Sequence, residues 1–248
     1  VYRKPVLKSD LSGKDGAAKQ LSAEQQAVVD AISQDYSQGI SQTYLLRGIT
    51  GSGKTEVYMA LIDRMIAGGK QAIVLIPEIA LTYQTLLRFY LRFGDRVSVM
   101  NSRLSPGERS DQYERAAKGE IDIMIGPRSA LFTPFERLGL VIIDEEHESS
   151  YKSETMPKFH AREVAQELCR MKHASLLLGS ATPSLESYYR ARQGEIPLFT
   201  LNSRLTGGEL PKVYVEDLRE ELKSGNRSIF SRRLQQLLED RLAKGQQS

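Results

Sequence analysis

The sequence holds a single cysteine, Cys169, which excludes an intrachain disulfide and sits more easily in a reducing compartment. Its three histidines are scattered, which with that one thiol argues against a structural zinc site within this chain. No apolar run is long enough to span a bilayer: the longest candidates, 72–77 and 138–143, are core-strand length. Nothing near the start has the form of a signal peptide. Strong charge of one sign is also missing. The net charge of +3 is compatible with a nucleic-acid partner and equally with many others.

What is present suits a folded protein. The 248 residues are 40% hydrophobic and 26% charged, enough to enclose a substantial core. Residues 1–18 are polar, carry Pro5, Gly13 and Gly16, and read as a linker or the tail of a preceding domain. From Leu21 onward, β-branched runs alternate with segments of helical period. The runs predict strands at 43–47, 72–76, 97–100, 121–125, 140–143 and 175–178. Helices are predicted at 55–67, 81–93 and 161–171, with Leu61, Ile62, Met65 and Ile66 of the first facing the core. Such alternation predicts an α/β fold, a mostly parallel sheet with helices on both faces, and places ligands at the carboxyl ends of the strands.

Three segments follow from this reading: a tail at 1–18, a nucleotide-binding lobe at 19–200, and at 201–248 the end of that lobe with a connection toward a second one. Residues 211–218 read as one more strand. Residues 231–243 read as an amphipathic helix whose Leu234, Leu237, Leu238 and Leu242 face a core or another domain. The opening Val1 and the terminal Gly245-Gln246-Gln247-Ser248, just past that helix, suggest a piece of a longer protein.

Gly48-Ile49-Thr50-Gly51-Ser52-Gly53-Lys54-Thr55 matches the phosphate-binding P-loop pattern, between a predicted strand and a predicted helix. The glycines let backbone N–H groups wrap a β-phosphate, and the helix N-terminus adds a favourable dipole. Lys54 is the expected partner of the β- and γ-phosphates, and the Thr55 hydroxyl an expected magnesium ligand. ATP and Mg²⁺ are the cofactors this predicts.

Leu140-Val141-Ile142-Ile143-Asp144-Glu145-Glu146-His147 ends an apolar strand on adjacent carboxylates. Asp144 is placed to hold Mg²⁺, a hard cation that prefers oxygen, and Glu145 to polarise the attacking water as general base. The role of Glu146 stays open. His147 is either a surface histidine or a γ-phosphate sensor coupled to the neighbouring motif.

Further segments fall in order along the chain: Glu56-Val57-Tyr58 after the P-loop, Ile76-Pro77-Glu78-Ile79-Ala80-Leu81-Thr82, Gly126-Pro127-Arg128-Ser129-Ala130-Leu131-Phe132-Thr133-Pro134-Phe135, Ser149-Ser150-Tyr151-Lys152, and Gly179-Ser180-Ala181-Thr182-Pro183-Ser184-Leu185-Glu186. Together with the P-loop and the acidic Asp-Glu-Glu-His box, they resemble the motifs of superfamily 2 DNA helicases, and among these the primosomal replication-restart helicases. The resemblance covers about Leu21 to Lys244. It implies a RecA-like P-loop NTPase domain, the first of two lobes. It further implies a bacterial, cytoplasmic enzyme that unwinds DNA 3′ to 5′ at stalled forks. Its partners would be single-stranded and forked DNA, other primosome proteins, single-stranded-DNA-binding protein and the loader of the replicative helicase, with no membrane. Zinc would belong to the second lobe, as would an arginine finger, so this chain alone is expected to hydrolyse ATP weakly or not at all. A double-stranded DNA translocase, a RecG-like fork remodeller and an ATP-switched loading scaffold are the alternatives.

The resemblance also implies residue roles. Gln25, in Leu21-Ser22-Ala23-Glu24-Gln25-Gln26, would read the adenine edge, or else Ser22 and Gln25 form a helix capping box. Ser180 and Thr182 would couple hydrolysis to DNA movement, or cap the helix starting near Ser184. Arg128 and Ser129, with Pro77 and Glu78, would grip DNA, or Arg128 is an ordinary loop arginine. Tyr151, Lys152, Phe159 and Arg162 belong to a loop of interleaved aromatic and basic residues that would sense unpaired DNA, or Phe159 packs on the core. Three segments depart from the usual family pattern: Tyr83 stands where a proline is usual, Asn101-Ser102-Arg103-Leu104 where His-Ser-Gly-Leu is common, and Pro127 where threonine or alanine is common. Cys169 reads as an inert buried thiol.

Overall fold

Leucine, isoleucine and valine runs become strands here because each is buried on both faces, the condition of a parallel sheet covered by helices. In the computed structural model, which describes residues 20–204 and 212–246, the chain divides into two units, Val1–Gly207 and Gly208–Ser248. The expected tail at 1–18 lies outside the described residues.

The first unit runs α1 (Ala23–Ser37), β1 (Thr43–Gly48), α2 (Lys54–Ala67), β2 (Gln71–Leu75), α3 (Tyr83–Phe93), β3 (Val97–Val99), α4 (Pro106–Ala117), β4 (Ile123–Gly126), β5 (Leu138–Asp144), α5 (Ala161–Lys172), β6 (Ser175–Ser180), α6 (Leu185–Arg192) and β7 (Leu198–Leu201). All six predicted strands and all three predicted helices of this region form, with small shifts at their ends. Of the other elements, α1 and α6 had only their starts indicated, at Ser22 and near Ser184, and two were not predicted at all. α4 is entered through a capping box, with the Ser105 hydroxyl accepting from the Glu108 N–H and Pro106 in the first turn. β7 is a short edge strand that pairs with β1 alone, too brief to show a period.

The strands form one seven-stranded sheet in the order β3-β4-β2-β5-β6-β1-β7, with every described pairing parallel. Alternation along the strands sorts the core into two layers. Tyr44, Leu46, Val74 and Ile142 pack with Val28, Ile32, Leu61, Ile62 and Phe89 of α1, α2 and α3. Leu45, Ile73, Val141 and Leu178 pack on the opposite face with Ala116, Ala165, Cys169 and Ala191 of α4, α5 and α6. Burial pushes the Cys169 thiol up to about 12, which keeps it protonated and inert.

The second unit holds α7 (Leu218–Lys223) and α8 (Arg232–Ala243), and no strand among its described residues. The predicted strand at 211–218 is therefore corrected. Pro211 lies outside the described residues, 212–217 have no regular structure, and Asp217 caps α7 by accepting from the Arg219 N–H at 2.9 Å. The predicted helix at 231–243 forms with Ser231 as its N-cap. Its leucine face is not the core of that unit: Leu234, Leu237 and Leu242 are exposed and Leu238 is half-buried. Among the described residues, no helix is long and apolar enough to cross a membrane.

Candidate nucleotide site and nucleic-acid interface

The sheet order puts three loops side by side. β5, β6 and β1 are neighbours, with Asp144 level with Gly179 and Arg47 level with Ser180. The loops leaving their carboxyl ends are the acidic box, the Ser-Ala-Thr-Pro turn and the P-loop. Residues far apart in sequence thereby meet at one edge, as expected for an open α/β sheet.

In the P-loop, Gly51 and Gly53 adopt φ of 82° and 81°, a backbone that L side chains rarely take. A Cβ on Gly48 would lie 2.6 Å from Ser52 Oγ, so the loop closes tightly over its own start. That Ser52 hydroxyl is buried with no hydrogen-bond partner, an orphaned donor inside the loop. α2 begins at Lys54, directing the N–H groups of its first turn toward the loop. Lys54 Nζ donates to the Gly48 carbonyl at 3.0 Å and lies 3.5 Å from Glu145 Oε1. Thr55 is half-buried beside it. This cradle of glycine backbone, cation, hydroxyl and helix terminus fits a nucleotide triphosphate chain. The Thr55 hydroxyl and the Asp144 carboxylate are the hard oxygen donors that magnesium prefers.

The acidic box is fixed from several sides. Tyr58, fully buried on α2, donates its hydroxyl to Asp144 Oδ1 at 2.9 Å. Burial, then the Asp144 charge, hold that phenol well above its ordinary range, so it stays a donor. Burial raises the Asp144 carboxyl, opposed by the Tyr58 hydrogen bond and Lys54 and reinforced by Glu145. Glu145 has φ of 47°, a left-handed conformation that costs a non-glycine residue about 1 kcal/mol. Two bonds hold the turn: the Glu146 N–H to the Gly179 carbonyl at 3.0 Å and the Glu148 N–H to the Glu145 carbonyl at 2.9 Å. The turn aims Glu145 at Lys54, and Glu145 Oε2 lies 3.7 Å from His147 Nδ1. His147 Nδ1 shares a hydrogen bond of 2.8 Å with Ser180 Oγ, which also accepts from the Thr182 N–H at 3.0 Å. His147, Ser180 and Thr182 thus form one polar chain beside the candidate base.

Gln25 is buried. Its Oε1 accepts from the Ser22 N–H at 2.8 Å, completing the capping box, and its Nε2 donates to the Ser52 carbonyl at 2.9 Å. The side chain therefore braces the P-loop from α1.

The other half of the sheet edge gathers the remaining residues. Pro77, Glu78, Arg128, Ser129 and Tyr151 line one cavity of about 310 Å³ past the ends of β2 and β4. Arg128 Nη1 donates to the carbonyls of Ser150 and Lys152 at 2.9 and 2.7 Å, tying its loop to the segment after the acidic box. Lys152 is exposed there, and Phe159 packs edge-on to Phe132 at 5.5 Å. Tyr151 is only 1% exposed and donates to the Asp144 carbonyl at 2.6 Å and the Leu75 carbonyl at 3.1 Å. At that burial Tyr151 lines the cavity without a free ring face for stacking. Arg162 turns inward as well: Nη1 binds Glu146 Oε2 at 2.9 Å and the hydroxyls of Ser184 and Ser187 at 2.6 and 3.0 Å. Buried charges need partners, and Arg162 supplies one.

Sequence reasoning missed three roles here. Glu146, with a fully buried side chain, joins the acidic box to α6 by accepting from the Ser184 N–H at 2.6 Å and the Ser187 hydroxyl at 3.0 Å. Tyr58 lies one helical turn past Lys54, on the same face of α2, and that spacing was a usable signal. Gly179 must be glycine because a Cβ there would fall 1.8 Å from the Tyr58 hydroxyl.

A family model described as DEAD/DEAH box helicase matches residues 22–191. The chain belongs to the DEAD/DEAH box helicase family. Its relatives include the replication restart protein PriA of Bacillus subtilis (strain 168), 47% identical over 248 residues, which are 100% of this chain and 31% of that protein. The protein of the same name from Chlamydia pneumoniae is 43% identical over 233 residues, 93% of this chain and 31% of that one. The chain therefore spans just under a third of the length of these relatives. Among solved structures, RecG bound to a three-way DNA junction is similar with a TM-score of 0.56 and 23% identity, over 85% of this chain and 29% of that one. The DUF1998 helicase MrfA bound to DNA gives 0.50 and 19%, over 74% of this chain and 27% of that one. These likenesses concern the fold, and they agree with a RecA-like helicase lobe.

Proposed function

We propose that this chain is the ATP-binding lobe of a DNA helicase that restarts replication at stalled forks, unwinding 3′ to 5′ within a longer protein. The observation that carries the reading is the division of the sheet edge. Phosphate-binding and acidic loops occupy the β5-β6-β1 side, and the Arg128 cavity occupies the β4-β2 side. Tyr151 bridges them, bonded to the last residues of both β2 and β5.

ATP is held by the loop amides of residues 48–55 and by Lys54, whose ammonium moves from the Gly48 carbonyl and Glu145 to the phosphates. Thr55 and Asp144 would hold magnesium, which would supply neutralisation of phosphate charge. Glu145, released from Lys54, would orient water toward the γ-phosphorus and take its proton as the new phosphorus–oxygen bond forms and the bond to the β-phosphate oxygen breaks, leaving ADP and phosphate. His147 feels the change at Glu145 and passes it through Ser180 and Thr182. Arg128 and Lys152 neutralise DNA phosphates, Pro77, Glu78 and Ser129 shape the groove, and Phe159 offers an aromatic surface. Gln25 acts on nucleotide by bracing the loop, while Tyr151 and Arg162 act on DNA through the residues they position.

The partners of the longer protein are single-stranded and forked DNA, the other primosome proteins, single-stranded-DNA-binding protein and a helicase loader. The test is steady-state ATP hydrolysis by this chain with and without forked DNA, with Glu145→Gln as the blank, alongside nucleotide and DNA binding. Binding of both ligands with little turnover is expected, because a charge supplied by another lobe is worth about 10³–10⁵ in rate for related ATPases. A DNA-stimulated rate of several per second would make the chain a complete motor, and failure to bind nucleotide would end the reading.

A further inference from the structure

A second, larger cavity of about 620 Å³ adjoins the Arg128 cavity. It lies between α3 and the turn after β3. Glu78, Asn101 and Ser102 line both, so the two share a polar wall. That wall is stitched together: Ser102 donates its hydroxyl and its N–H to Glu78 Oε1, and Asn101 Oδ1 accepts from the Arg103 N–H at 3.0 Å.

The two sides of the wall differ in chemistry. On one side stand Arg109 and Arg128, whose guanidinium groups donate to the carbonyl oxygens of Ser102, Leu104, Ser150 and Lys152. They keep their positive charge available to an anion. On the other side the floor is apolar, made by Leu81, Leu86, Val99 and the ring of Tyr90, with Tyr83 and Arg103 exposed at the mouth. A cationic seat and an apolar, aromatic seat separated by one thin wall match the two parts of a nucleotide, its phosphate and its base. A base has apolar faces and a polar rim, as this cavity has an apolar floor and a polar mouth. Aromatic rings hold bases by stacking, and a planar guanidinium does the same.

We propose that this cavity receives an unpaired base of the bound strand, stacked on Tyr83 beside Arg103, while the adjoining phosphate lies against Arg109 and Arg128. The site makes the lobe a one-base clamp that admits only a nucleotide turned out of its stack, so it selects single-stranded over paired DNA. The inference rests on the DNA-binding reading above.

The test uses the full chain and a short single-stranded oligonucleotide carrying 2-aminopurine, or 5-iododeoxyuridine, at one position in turn. Anisotropy reports total binding, 2-aminopurine fluorescence reports stacking, and mass spectrometry maps the photo-crosslinked residue. A position that changes fluorescence on binding and crosslinks to Tyr83 is expected. Tyr83→Ala should abolish both signals and weaken binding roughly tenfold, and Tyr83→Phe should retain them. Binding by anisotropy with crosslinks only elsewhere, or signals unchanged in Tyr83→Ala, would overturn the clamp and leave the DNA reading standing. No anisotropy change with any DNA would remove both.

Discussion

The Tyr58 hydroxyl donates to Asp144 Oδ1 at 2.9 Å, and Gly179 presses against that hydroxyl so closely that no side chain fits between them. The helix that begins in the P-loop is thereby locked to the carboxylate that ends β5. The hydrogen bond fixes which Asp144 oxygen remains for a cation. Tyr58→Phe keeps the ring and removes only this bond. A buried hydrogen bond to a charged group is worth about 1.5–3 kcal/mol. The variant should fold, bind nucleotide in the absence of magnesium as the parent does, and need roughly tenfold more magnesium for tight binding. Magnesium titrations of a fluorescent ATP analogue check this, and an unchanged midpoint would remove Tyr58 from the site.

Gly179→Ala examines the same contact from the other side. Its Cβ would meet the Tyr58 hydroxyl, and overpacking of this kind costs about 1–3 kcal/mol. Tyr58→Phe in the same chain should recover part of the loss in urea denaturation, because the clashing oxygen is gone. Equal stability of the single and double variants would mean that the backbone yields instead.

Glu146 and Arg162 form a buried ion pair supported by Ser184 and Ser187. Arg162→Met leaves the Glu146 charge buried with only hydroxyl and amide partners, a loss of about 3 kcal/mol or more. Adding Glu146→Gln removes that charge and should restore most of the stability. Denaturant midpoints of the two variants decide it, and an Arg162→Met midpoint equal to the parent's would place the pair at the surface in solution.

The phosphate loop and the acidic box were legible because their chemistry demands particular residues within a few positions of one another. The alternation of strands and helices was legible for a similar reason, since a sheet buried on both faces leaves a run of apolar residues at each strand. The Tyr58–Gly179 contact was hidden, because it arises only when β6 packs beside β5 under α2. Tyr151 and Arg162 read as DNA contacts from a loop rich in rings and cations. Composition does not tell which of its side chains turns inward, and Glu146, buried next to them, draws Arg162 into the protein. Residues 211–218 read as a strand, but Val213 and Val215 within them are exposed, and Asp217 caps a helix instead.

His160 caps α5: its Nδ1 accepts from the Arg162 N–H at 3.2 Å, and its backbone pairs with Lys152. Burial first and Arg162 second lower its pKa below the ordinary imidazole value, against the opposite pull of Glu163, Glu146 and Glu186. The folded state therefore favours the neutral ring, and the unfolded state takes up its proton at higher pH. Stability from this group is present above the ordinary imidazole range and is lost as pH falls through the lowered value. His160→Asn keeps a cap acceptor without a titrating ring. The melting temperature of the parent should fall relative to His160→Asn between about pH 7.5 and 5, with the gap opening below the ordinary imidazole value of about 6.5. Parallel pH profiles would show that the ring does not titrate with folding.

Gln25 offers the sharpest separation of two roles. Its Oε1 is taken by the Ser22 N–H and its Nε2 by the Ser52 carbonyl, so both polar atoms act on protein. A residue that reads adenine discriminates ATP from GTP, because only one base edge complements its amide. A residue that braces the P-loop acts on the phosphates, which the two nucleotides share. Gln25→Leu preserves bulk, removes the donor to Ser52, and loses the second half of the α1 capping box. It should weaken ATP and GTP binding alike, by about fivefold to tenfold for one hydrogen bond of ordinary worth. Competition against a fluorescent nucleotide gives both affinities in one experiment. A loss confined to ATP would return Gln25 to the base edge and require its amide to leave the P-loop when nucleotide binds.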